Sequence, residues 1–156
     1  MKSAFLVRKT IIIIMLLSAG VFVIMQTVYA DSDEILQKLK ETKKCQGCDL
    51  SGLDLSGVSL FGVDLTGANL SGTNLSGADL TYVTFRDADM SKADLSSANL
   101  RNADLSGANL RGANLSRANL KNANVLGAYL TDADLSGTVW SDGIKCQDGS
   151  SGDCLK

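Results

Sequence analysis

The chain contains no histidine and no proline, and aromatic residues make up only 5% of its 156 residues. Without histidine it lacks the side chain best suited to proton transfer near neutral pH. No Ser/His/Asp or Cys/His set exists, no cluster of metal-ligand spacing is present, and nothing in the sequence asks for a cofactor. These absences argue against an enzyme. Excess positive charge is missing too. Removing the first thirty residues with Lys2, Arg8 and Lys9 takes the 15 Lys+Arg to 12 against 17 Asp+Glu, a net charge of −5. That balance argues against holding nucleic acid or anionic lipid by charge.

Only one long apolar run occurs, Ile11 to Met25, broken by Ser18 and Gly20 and preceded by the three basic residues. Val28-Tyr29-Ala30 then supplies small residues where a signal peptidase reads. Residues 1–30 read as a secretory signal peptide cleaved between Ala30 and Asp31. An uncleaved anchor is the competing reading, since Ile11 to Ala30 is long enough to span a bilayer. After cleavage no stable membrane insertion is expected. No cysteine follows the run to take a lipid.

What the chain does have is a five-residue pattern, repeated nineteen times without a break from Cys48 to Asp142 (CDLSG LDLSG VSLFG VDLTG ANLSG, and so on to TVWSD). A period of five suits neither common element. On an α-helix each step of five rotates the next Leu by about 140°, so no stripe forms. On a flat strand an odd period sends successive Leu residues to opposite faces. The pattern is consistent only if the chain turns a corner every five residues, and four corners close a square coil of twenty. The unit centres are Leu at fifteen positions, with Phe85, Met90, Val125 and Trp140 at the others. Two residues before each centre stands Ala in twelve units. A large and a small inward residue on each side fill a narrow core, because four side chains meet at the axis. The polar residues and Gly between them suit tight turns.

The register can be read from the residue just before each centre. The first face carries Asp49, Asn69, Asp89, Asn109 and Tyr129; the second Asp54, Asn74, Asp94, Asn114 and Asp134. The third carries Ser59, Asp79, Asn99, Asn119 and Val139; the fourth Asp64, Thr84, Asp104 and Asn124. No Asp lies directly above another in the fifteen stacked pairs, which avoids carboxylates held one rung apart. Nineteen units give about 4.75 coils, a body about 23 Å long at roughly 4.8 Å per coil.

The A(D/N)LxG units resemble those of the pentapeptide-repeat family. The resemblance implies an all-β solenoid, a right-handed quadrilateral parallel β-helix, here with a short N-terminal capping helix. It says little about activity. Some members resemble DNA in shape and charge and shield type II topoisomerases. This chain departs from them in its export signal, its short body and its low net charge, so that reading is the alternative. Members with an export signal, a helical N-terminal cap and a C-terminal cysteine pair imply a periplasm, a thylakoid lumen or the extracellular space.

Both solenoid ends need caps. Residues 31–47 form the N-terminal one, with a helix over Ser32 to Lys43. Asp31 or Ser32 serves as its N-cap, Ile35, Leu36 and Leu39 share a face, and Lys43 and Lys44 favour the C-terminal end of the dipole. Residues 48–142 make the solenoid, whose last centre, Trp140, plugs the core. Residues 143–156 form a turn-rich tail with no obvious element. An even cysteine count behind a signal peptide points to disulfides. The length of the body forbids bonds between its ends, so the pairs are Cys45–Cys48 and Cys146–Cys154. The first stays open, because Cys48 at an inward position is also a good buried thiol. The C-x-x-C spacing lacks the βαβ context of a redox motif, and separation of the two pairs argues against a four-cysteine zinc site.

The sequons at Asn69, Asn74 and Asn114 are generated by the repeat itself. Two surface features stand out: a ladder of Ser56, Ser76, Ser96, Ser116 and Ser136 on the second face, and a mixed aromatic-basic strip of Phe61, Tyr82, Arg101 and Lys121 on the third. The strip is the candidate surface for an unidentified protein partner. The sequence leaves the oligomeric state open.

Overall fold

Every corner of the coil is a four-residue turn closed by one backbone bond. The Leu53 amide donates to the Leu50 carbonyl at 3.3 Å, Ala68 to Leu65 at 3.0 Å and Ala133 to Leu130 at 2.9 Å. The third residue of the turn has positive φ, +65° at Gly52, as a type II turn requires. The Asp or Asn before each centre closes a second ring, with its Oδ1 accepting the amide two residues on: Ser51 to Asp49 at 3.1 Å, Ser116 to Asn114 at 3.0 Å. Five residues thus suffice for one straight step and one corner.

The computed structural model describes residues 13–17, 20–24 and 32–155. Within the apolar N-terminal segment, β1 (Ile13–Leu17) and β2 (Gly20–Ile24) pair antiparallel, Ile13 opposite Ile24 and Leu17 opposite Gly20. The expected cleavage point between Ala30 and Asp31 lies outside the described residues. Among the described residues no helix is long and apolar enough to cross a membrane.

Helix α1 covers Ser32–Thr42. It ends one residue earlier than the sequence suggests, because Lys43 turns left-handed at φ 55° and donates its amide to the Leu39 carbonyl at 3.0 Å. That is a left-handed helix cap. Leu39 is buried in the core and Leu36 packs at its margin, so α1 lies against the first coil. Lys44 has already left the helix and pairs with Asp64 as a rung.

From there the chain is a stack of parallel rungs twenty residues apart. The fifteen register pairs read from the sequence are the ones that form, Asp49 with Asn69 through Asn119 with Val139. Within each, bonds alternate up and down: Leu50 donates to the Asn69 carbonyl, and Asn69 donates to the Cys48 carbonyl, both at 2.8 Å. The solenoid begins one side earlier than the repeat pattern. Cys45 donates to Asp64 and Gly47 to Thr66, so Lys43-Lys44-Cys45-Gln46-Gly47 is a unit centred on Cys45, hidden because it shares little but its Gly with the others.

The core is the column of centres and small residues. The centres from Leu55 to Leu120 are fully buried, with Phe85 the largest. Where Thr replaces Ala its hydroxyl donates to a neighbouring carbonyl, Thr73 to Leu50 at 2.8 Å and Thr138 to Leu115 at 2.7 Å. These bonds remove the cost of a buried hydroxyl.

The tail is a correction to the sequence reading. It folds back over the last coil, Lys145 antiparallel to Val139 and Ser151 antiparallel to Asp134. Trp140 is half-buried rather than a complete plug, and its amide donates to the Ile144 carbonyl at 2.8 Å.

Candidate interaction surface

The third side bears Phe61, Tyr82, Arg101 and Lys121 on successive rungs at the corner that follows centres Leu60, Leu80, Leu100 and Leu120. The backbone ladder sets their order: the Tyr82 amide donates to the Arg101 carbonyl at 3.1 Å, and Asn102 to Lys121 at 3.2 Å. Phe61 and Tyr82 meet edge to face with centroids 5.6 Å apart. They remain 50% and 57% exposed, so the pair is not core that has strayed outward. Arg101 and Lys121 are also exposed. Lys43 joins them, its Nζ donating to the Phe61 carbonyl at 2.9 Å. Sequence reading missed this cation because it assigned Lys43 to the helix. All four sequence-predicted residues therefore lie along one corner, where the two aromatic rings touch.

Tyr82 sits at φ 59°, in the turn position that Gly62 fills one rung below. A bulky residue there is strained by roughly 1–2 kcal/mol. Asp87, Lys92, Ser97, Asn102, Arg117, Asn122 and Asp132 take the same conformation at their own corners, so the repeat sets it; the Tyr82 ring faces solvent.

The Ser ladder is absorbed by the fold. Its amides donate to the preceding Asp or Asn, and the Ser116 hydroxyl donates to Asn114 at 2.7 Å. The carboxylates are similarly occupied. Burial by itself would raise the pKa of Asp104, but the Ser106 hydroxyl, the Arg86 guanidinium and the Ser106 amide outweigh it and hold it at about 2. Arg86 and Asp104 form an ion pair at 2.7 Å.

All four cysteines are disulfide-bonded. Cys45–Cys48 is bonded, with Cα atoms 5.3 Å apart, and Cys146–Cys154 at 5.0 Å. The C-x-x-C spacing has a geometric origin. A centre and the next small inward residue are three apart across a corner, which is disulfide range. A cleft of about 540 Å³ opens between α1 and this disulfide, with Lys38, Lys44 and Asp49 on its walls. Among the described residues no group of His, Cys, Asp or Glu could hold a metal ion.

A family model for pentapeptide repeats matches residues 44–77, 59–96 and 98–137, with eight copies. The chain belongs to the pentapeptide-repeat family. Members of this family form right-handed quadrilateral β-helices and generally serve as structural or protein-interaction modules. Among solved structures, the chain is similar to a pentapeptide repeat protein of the Arabidopsis thaliana thylakoid lumen, with 34% identity over 70% of this chain and 85% of that one, TM-score 0.42. It is similar to a pentapeptide repeat protein (Rfr23) from the cyanobacterium Cyanothece 51142, with 34% identity over 78% and 99%, TM-score 0.42. Full-length QnrB1, a plasmid-mediated fluoroquinolone resistance protein, shares 20% identity over 61% and 76%, TM-score 0.27. None of the curated proteins matches the chain.

Proposed function

We propose that this pentapeptide-repeat protein is an exported, non-enzymatic scaffold that binds a protein partner through the aromatic-basic corner of its third side. In this reading residues 1–30 direct export, and α1 and the folded tail cap a right-handed body whose nineteen sequence-read units, about 4.75 coils, are preceded by the unit centred on Cys45. The corner is the working surface. The observation that carries the reading is the ring pair itself: two exposed aromatics, Phe61 and Tyr82, in edge-to-face contact on the surface, with Lys43, Arg101 and Lys121 along the same corner. Exposed aromatic and Arg anchors are enriched in interfaces.

Export is supported by the two disulfides, which persist in oxidising compartments and are rare in the cytosol. The same disulfides weigh against the alternative, topoisomerase protection in the cytosol. The periplasm, the thylakoid lumen and the extracellular space all fit.

The test is capture of partners from the native compartment on immobilised mature chain, wild type against a Phe61→Ser, Tyr82→Gly, Arg101→Ser triple variant. The triple variant keeps its core and both disulfides. A protein retained by the wild type and lost by the variant supports the corner. Equal retention at equal thermal stability contradicts it.

A further inference from the structure

The C-terminal end of the solenoid is a step. On every lower rung the centre amide donates upward and the small residue two before it accepts from above, as Leu105 does to Asn124 and Ala103 from Asn124. On the last coil the tail supplies those partners for two sides only. Leu135 donates to Ser150, Trp140 donates to Ile144, Ala133 accepts from Gly152 and Thr138 accepts from Cys146. Among the described residues, nothing supplies those partners on the other two sides. Among the described residues the amides of Val125, Gly127 and Leu130 and the carbonyls of Ala123 and Ala128 have no hydrogen-bond partner. The side chains agree with the backbone. Val125, Ala128 and Leu130 are half-buried where the equivalent residues one rung down are fully buried. Leu126 is 79% exposed and Tyr129 51%, the latter under the Arg111 guanidinium at 4.5 Å.

We propose that this half-edge, residues 123–130, is a strand-addition site for an extended segment of a protein partner. The chain itself shows the mode, because the same edge continues without a break into the two sides where its own tail pairs antiparallel at Lys145 and Ser151. An occupant completing the rung needs what most other rungs supply: a small residue, any residue, then an aliphatic one, directed over Ala123 and Val125 or over Ala128 and Leu130. It also needs apolar outer contacts for Leu126 and Tyr129. Backbone bonds give such a site its affinity and the inward positions its selectivity. The site lies at the far end from Phe61 and Tyr82 and stands independently of the corner.

The test uses the mature chain, isotope-labelled for amide NMR, and as probe a synthetic peptide of its own residues 103–112, the two units stacked directly beneath the bare edge. Saturable shifts confined to Val125, Gly127 and Leu130, with amide exchange slowed at least about tenfold at peptide concentrations up to about 1 mM, support the proposal. Leu135 and Trp140, already paired with the tail, serve as unchanged references. A peptide carrying Leu105→Asp and Leu110→Asp is expected to do nothing. Absence of any change with the native peptide overturns the proposal. So does protection already present in the free chain that is lost on dilution together with a doubled mass, which would assign the edge to a second copy.

Discussion

Two residue-level rules govern this molecule, and the first is directional. Six Asn side chains donate to an Asp on the rung before them: Asn69 to Asp49, Asn74 to Asp54, Asn99 to Asp79, Asn109 to Asp89, Asn114 to Asp94 and Asn124 to Asp104. No such bond occurs where Asn lies below Asp, as at Asn69 and Asp89. Each Oδ1 is committed to its own turn, which leaves Nδ2 aimed toward the N-terminal neighbour. Asn109→Asp should therefore destabilise the fold by about 1 kcal/mol, through a lost bond and like charge, and raise the pKa of Asp89; thermal melting and an NMR titration read both. The second rule is backbone handedness. Lys92 stands at φ 57°, so Lys92→Gly should stabilise by up to about 1 kcal/mol, the relieved strain less the unfolded-state entropy. No gain in melting temperature would count against it.

Acid sensitivity also belongs to this scale. The Ser or Thr two residues on lowers Asp64, Asp89 and Asp134 through its hydroxyl and amide, and Asp104 is held at about 2. Depressed folded values mean that their contribution is complete above the ordinary value of 3.8 and is lost as pH falls toward 2. Stability against urea should be flat above pH 5 and fall below pH 4, with Asp104→Asn showing a shallower fall.

At the level of elements, the caps decide what the sequence could and could not reveal. The period of five, the inward residues and the register were legible because each repeat restates the same constraint. The unit centred on Cys45 was hidden because Lys, Lys and Gln stand where Ala, Asn and Ser usually do. The tail was opaque for a different reason. Its order comes from Leu135, Trp140, Ala133 and Thr138 offering a free edge, a long-range pairing that no local pattern signals. Cys146–Cys154 fixes that pairing. Replacing both by Ser should cost about 2.5 kcal/mol by loop entropy and speed amide exchange at Leu135 and Trp140 but not at Leu55. Equal exchange before and after would mean the tail holds without its bond.

The whole molecule is a one-dimensional stack in which each coil supports the next, so damage should stay local before it becomes global. Leu100→Ala, at the centre of the third side, is expected to cost about 3 kcal/mol as a cavity in a fully packed column, and calorimetry would detect it directly. The candidate corner was legible as four residues in register; its pairing of rings, its strain at Tyr82 and its fifth member Lys43 required coordinates. A rigid body closed by two disulfides and carrying its chemistry outside suits a compartment that keeps cysteines oxidised. The most direct test is an intact mass of the native protein after cell fractionation, with thiol alkylation before and after reduction. A mass starting at Asp31 from a non-cytosolic fraction, unlabelled until reduction and then labelled at Cys45, Cys48, Cys146 and Cys154, is the expected result. A full-length cytosolic chain with four labelled thiols before reduction would contradict the exported scaffold.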